Sequence, residues 1–87
     1  MRFIIVKVPW NHGLNLRPAA LIAQCAHRFR SRVILKKGGL FSEATSILGL
    51  VVLCAALSSA VRIEVEGVDE QEALEAVAAC FESDAVD

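Results

Sequence analysis

Val61, Ile63 and Val65 alternate with Arg62, Glu64 and Glu66. This period of two constrains the fold more than any other feature of the chain. It makes a strand with one face in the core and the other in water. Just beyond it the period changes. Asp69 followed by Glu72 resembles a capping box, with Asp in place of Ser or Thr. Leu74, Val77, Ala78 and Phe81 then recur at i, i+3, i+4 and i+7 and predict a helix with one apolar face. A half-buried strand followed closely by an amphipathic helix points to a small sheet with helices packed on one face.

The rest of the chain supplies the other elements. Arg2 to Val8 alternate as a strand, with Ile4, Val6 and Val8 on one face and Phe3, Ile5 and Lys7 on the other, and Pro9 ends it. Trp10 to Leu14 read as a loop with Gly13 as its flexible point. A helix follows, with Pro18 in its first turn. Ala19, Ile22, Ala26 and Phe29 form its buried stripe, and Arg28 and Arg30 complement the negative end of its dipole. Arg32 to Lys37 and Leu40 to Glu43 are strands joined by Gly38-Gly39, a hairpin signal. Thr45 or Ser46 caps a second helix from Ile47 to about Leu53. That helix is too short to bury every face, so some of Ile47, Leu48 and Val51 should be exposed, with Leu50 and Leu53 inward. Residues 84–87 should fray. The order β-α-β-β-α-β-α places residues 1–87 in a single α+β domain.

Composition narrows the function. With 55% hydrophobic residues and a mean hydropathy of +0.52, the chain is not disordered. Eighty-seven residues cannot hold a large nucleotide-binding enzyme, so a partner must supply most of any reactive site. The chain shows no nucleophile–base pair at a recognisable spacing, and it is not expected to be an enzyme. A net charge of −1 gives no overall pull toward nucleic acid. The charges are segregated, however. Eight of nine basic residues fall in residues 1–37, and nine of ten acidic residues follow Ile63. The favoured explanation is that the two halves interleave in space, with Arg and Lys on one strand facing Glu on the next. Cys25, Cys54 and Cys80 lie in apolar runs and read as small buried hydrophobes in a reducing compartment. They show no ligand spacing with His12 or His27, so neither a metal nor a cofactor is expected. The longest apolar run, Ile47 to Leu57, has eleven residues, against the roughly 20 needed to span a bilayer. The protein reads as cytoplasmic, without membrane insertion.

Two segments carry functional content. In His12-Gly13-Leu14-Asn15-Leu16-Arg17-Pro18-Ala19-Ala20 a glycine loop feeds a helix start. The free N–H groups there, together with Arg17, suit a phosphate or carboxylate. An N-cap Asn and a solvated Arg explain the same residues. In Ser46-Ile47-Leu48-Gly49-Leu50 the serine is either a cap or a phosphorylation site. Phosphate there meets the favourable end of the helix dipole.

These two segments, with Glu66-Gly67-x-Asp69-Glu70-x-Glu72-Ala73-Leu74, resemble the HPr family, the small phosphocarrier proteins of the bacterial sugar phosphotransferase system. The resemblance covers essentially the whole chain. It implies an open-faced β-sandwich, a four-stranded antiparallel sheet with three helices on one face. It also implies that Ser46 is the site of an HPr kinase/phosphorylase. Ile47, Leu48 and Val51 would be an apolar docking patch, with Arg17, Ala20, Gln24 and His27 beside it. The implied partners are proteins of the phosphotransferase system or a transcriptional regulator. The chain departs from the family where the chemistry occurs. The phosphorylated histidine is replaced by Asn15, with Leu16 following where a small residue is usual. Imidazole nitrogen accepts a phosphoryl group, whereas a carboxamide nitrogen has its lone pair delocalised. Asn15, Leu16 and Arg17 are then the remnant of a phosphoryl site, and the protein is expected to be regulatory. The alternative is a carrier using His12. Leu57-Ser58-Ser59-Ala60 also lacks the glycine usual before the last strand.

Overall fold

The alternating segment becomes β4 (Ala60–Glu66) and lies inside the sheet, not at its edge. It is joined by β1 (Arg2–Lys7), β2 (Arg32–Lys37) and β3 (Leu40–Glu43), all antiparallel, in the spatial order β1-β4-β2-β3. The computed structural model describes residues 1–82. The fraying expected at residues 84–87 falls outside them.

Register decides which face is dry. Ile4 and Val6 pair with Ile63 and Val61 on one side of β4, and Val33 and Leu35 pair with Val65 and Ile63 on the other. Side chains alternate along each strand, so these residues share one face. Leu35, Val61, Ile63 and Val65 are fully buried there. Three helices cover that face: α1 (Leu16–Ala26), α2 (Ile47–Val52) and α3 (Glu70–Cys80). Ala19, Ile22, Leu50, Leu53, Ala73 and Val77 complete the core.

The opposite face explains the segregated charges. Lys36 of β2 lies 3.1 Å from Glu64 of β4, and Arg62 lies 2.7 Å from the same carboxylate. Hydrogen bonds from Lys36 and then Arg62 hold the Glu64 carboxyl below its usual range. Arg62 also stacks its guanidinium 3.7 Å above the Phe3 ring. Arg32 reaches Glu43 across the hairpin. Lys36–Glu64 thus joins the basic first half to the acidic second half across neighbouring strands, whereas Arg32–Glu43 stays within the β2–β3 hairpin and Arg62–Glu64 within β4.

Gly38 turns the β2–β3 hairpin with φ +60°. Other expectations need correction. α1 ends at Ala26, and His27, Arg28 and Phe29 close it with tight turns onto Ala23, Cys25 and Ala26. Only five residues separate its end from β2, so the chain leaves the helix before Phe29. Phe29 is therefore half-buried against the core and outside the helical stripe. Arg28 and Arg30 lie beyond the last turn of α1, outside the positions the sequence assigned them at its end. Arg28 instead sits 5.7 Å from the Phe29 ring.

The capping box at α3 does not form. Asp69 makes no side-chain cap bond. Its carboxylate accepts from the peptide N–H groups of Arg30 (3.0 Å) and Ser31 (2.9 Å) and from the Ser31 hydroxyl. It therefore ties α3 to the turn that leads into β2, and those bonds hold its pKa below the ordinary value. Glu70 accepts from the Gly67 N–H. The buried face of α3 runs through Ala73, Val77 and Phe81, with Leu74 and Ala78 only half-buried. Trp10, placed by its sequence context in a loop, is buried against Phe81 with ring centroids 5.2 Å apart. Cys54 is exposed, and only Cys25 is fully buried.

Candidate functional site

The head of α1 is braced from below. Leu14 N–H donates to the Ala55 carbonyl (2.8 Å), joining the loop before α1 to the loop after α2. Gly13 has φ +72°, and a Cβ there would lie 2.5 Å from the Ala55 oxygen. It is a point of close approach where the sequence suggested flexibility.

On this brace Asn15 takes the N-cap position with extended backbone. Its Oδ1 accepts from Arg17 N–H at 3.2 Å, and its carbonyl accepts from Ala19 N–H. The carboxamide fills one of the donor positions that an anion at a helix start would use. Leu16 is 63% exposed, directly beside it. Arg17 is exposed as well, and its guanidinium meets no acid among the described residues. His12 is exposed three residues before the cap.

Arg17, Ala20, Gln24 and His27 follow one another at helical spacing and form a single outer stripe. Ala20 is half-buried, and the other three are exposed. α2 packs against α1. At its head Ser46, not Thr45, is the cap. Ser46 Oγ accepts from Gly49 N–H at 3.1 Å, and the residue is exposed. Leu48 is 74% exposed, while Ile47 and Val51 are half-buried and lean on the core. Leu50 and Leu53 point inward as expected. Among the described residues no hydrogen bond or ion pair joins Ser46 to Asn15 or Arg17.

Sequence reasoning missed Val52, which is exposed. It stands four residues after Leu48, so the i, i+4 rule would have placed it on the same face. Two turns near the site use left-handed backbone without glycine. Cys54 (φ +52°) follows the C-cap of α2, and Ser58 (φ +70°) stands before β4, where the usual glycine is missing. Ser58 is held by its N–H to the Val8 carbonyl, and Val8 N–H returns to Ser59.

As chemistry, the arrangement offers capped helix heads, a cation with no acid partner among the described residues, and an apolar surface. Among the described residues no three His, Cys, Asp or Glu side chains are grouped to hold a metal ion. No helix among them is long and apolar enough to cross a membrane.

Residues 4–83 match the family described as PTS HPr component phosphorylation site. The chain belongs to the HPr family. The HPr-like protein Crh of Halalkalibacterium halodurans is 43% identical over 79 residues, covering 91% of this chain and 94% of that protein. The HPr-like protein Crh of Bacillus subtilis is 47% identical over 74 residues, covering 85% and 87%. The solved phosphocarrier HPr of Bacillus anthracis superimposes with a TM-score of 0.85 at 40% identity, covering 91% of this chain and 94% of its own. The four-stranded sheet under three helices is thus the HPr fold. The family groups phosphocarrier and HPr-like proteins of the phosphotransferase system, and its phosphocarriers are carriers, not enzymes.

Proposed function

We propose that this HPr-family protein is a regulatory binding module that does not carry a phosphoryl group at position 15 and is controlled by phosphorylation at Ser46. One observation carries the reading: the residue at the head of α1 is a carboxamide, and its oxygen is already bonded to Arg17 N–H. An amide nitrogen cannot replace imidazole as a phosphoryl acceptor. What remains suits recognition. Leu48 and Val52 are exposed on α2, and the polar stripe of Arg17, Gln24 and His27 runs along the adjoining α1. Apolar surface bordered by polar groups is the composition of a protein-binding patch. The docking residues are Arg17, Ala20, Gln24, His27, Ile47, Leu48 and Val51, in the cytoplasm. The partners are proteins of the phosphotransferase system or a transcriptional regulator. Phosphate on Ser46 adds about −1.5 to −2 charge at the rim of this patch. It therefore changes what docks without unfolding the helix.

The test exposes the purified chain to phosphoenolpyruvate with Enzyme I, and separately to ATP with an HPr kinase/phosphorylase. The first reaction should leave the chain unlabelled, and the second should place one phosphate on Ser46 by mass spectrometry. Base-stable, acid-labile label from Enzyme I would overturn the reading. If the label moved away in His12→Gln, the protein would be a carrier through His12. Kinase label confined to Thr45, Ser42 or Ser58, or none, would remove the serine control.

A further inference from the structure

α1 and α3 pack side by side, and the seam between them opens as a groove of about 560 Å³. Cys25 and Cys80 both line it, each in the last turn of its helix. The Arg28 guanidinium, also in the wall, donates to Cys25 Sγ at 3.6 Å. Cys80 Sγ donates to the Ala76 carbonyl one turn below. Burial, then the charge of Cys25 and a hydrogen bond to it, push the Cys80 thiol up to about 12. Cys80 therefore keeps its proton, and the Cys25 sulfur lies against the Arg28 cation.

We propose that Cys25 and Cys80 are a redox-responsive dithiol that closes into an α1–α3 disulfide when the chain meets hydrogen peroxide. Cys25 sulfur attacks the nearer peroxide oxygen. The O–O bond breaks, the leaving hydroxide takes the Cys25 thiol proton as water, and a sulfenic acid remains. Cys80 sulfur then attacks Cys25 sulfur. The S–O bond breaks, and the departing hydroxide takes the Cys80 proton as a second water. Two thiols are oxidised to one disulfide, and one peroxide is reduced to two waters. Two molecules of a small thiol reverse the step by exchange and become a disulfide themselves. Exposed Cys54 has no part in it. The bridge closes a long loop of chain, so it restricts the unfolded state and raises thermal stability. Gln24 lines the same groove, so the bridge forms at the edge of the proposed docking stripe. Closure itself does not depend on that reading.

The experiment uses the full chain with Cys54→Ser, reduced and then treated with hydrogen peroxide while folded. The expected product is monomeric, lighter by two hydrogens, and yields a cross-linked tryptic peptide joining residues 25 and 80. Its Tm should rise by about 5 °C or more and return on thiol treatment. Adding Cys80→Ser should give a dimedone-trapped sulfenic acid on Cys25 with no rise in Tm. Arg28→Gln, at an exposed position, should slow closure by roughly three-fold or more. Circular dichroism checks that each variant is folded, and Cys80→Ala replaces the serine variant if it is not. Two thiols still titratable after peroxide, a bridge formed only in urea, or a bridge between two molecules would each overturn the proposal.

Discussion

Asn15 holds the head of α1 through its carboxamide oxygen, and that bond has a measurable weight. Asn15→Ala should cost about 0.5–2 kcal/mol in urea unfolding, as for other N-caps. Asn15→His should admit phosphoryl transfer from Enzyme I, because Gly13, Arg17 and Pro18 still frame the position. Where exposed Leu16 obstructs the incoming protein, Leu16→Ala should complete the repair. A double variant that accepts no label would mean that the frame is only structural. Exposure separates other side chains in the same way. Leu48→Ser should change stability by no more than about 0.5 kcal/mol while weakening partner binding. Phe81→Ala, which empties the stack on Trp10, should cost about 3–5 kcal/mol. Phe29→Ala should cost about half as much, because Phe29 is only partly buried. If Leu48 melts like Phe81, Leu48 belongs to the core. Much of this scale was legible in the sequence. Ser46, Leu50, Leu53 and exposed Leu48 followed from cap chemistry and the shortness of one helix. Trp10 did not, because a buried aromatic in an irregular loop belongs to no period.

Elements were legible where periodicity ran through their middles and illegible where another element decided their ends. β2, β3 and β4 carry clear alternation or a glycine hairpin. The end of α1 is set by the start of β2, and the head of α3 by the Arg30–Ser31 turn, so no local pattern reveals either. The Asp69 contact has a pH signature. Hydrogen bonds from Ser31 and Arg30 lower its pKa from the ordinary 3.8. A lowered carboxyl stabilises the fold fully above that value and loses its contribution as pH falls through the folded pKa. Glu64 and Glu70 are lowered from 4.5 and act with the same sign. Tm should therefore begin to fall near pH 4.5 and continue down below 3.8, with a shallower fall in Asp69→Asn. Equal acid slopes in melts from pH 7 to 2 would show that the link contributes nothing. Ser58 offers a test of the turn before β4. Its left-handed backbone burdens any residue with a Cβ. Ser58→Gly should stabilise the chain by up to about 1 kcal/mol, after allowing for glycine's added freedom when unfolded. A loss of stability would mean that the Ser58 side chain contributes a contact that outweighs its strain.

Over the whole molecule, segregated charge becomes pairing because the strand order is not the chain order. β4 enters between β1 and β2 and brings Glu64 to Lys36. The sequence suggested this interleaving but not its register, which depends on how Val33, Leu35 and Val6 share the dry face with β4. The same insertion has a consequence for how the protein is made. A chain leaves the ribosome from its first residue onward. β1 and β2 emerge early and cannot satisfy each other, because the strand that joins them is translated last of the four. The β2–β3 hairpin is local and can close at once. The sheet itself must wait until residue 66 is free. Until Arg62 emerges the nascent chain carries eight basic residues against the single acid Glu43. The pace of translation through residues 44–66 therefore sets how long these unpaired strand edges and cations stay open to other molecules.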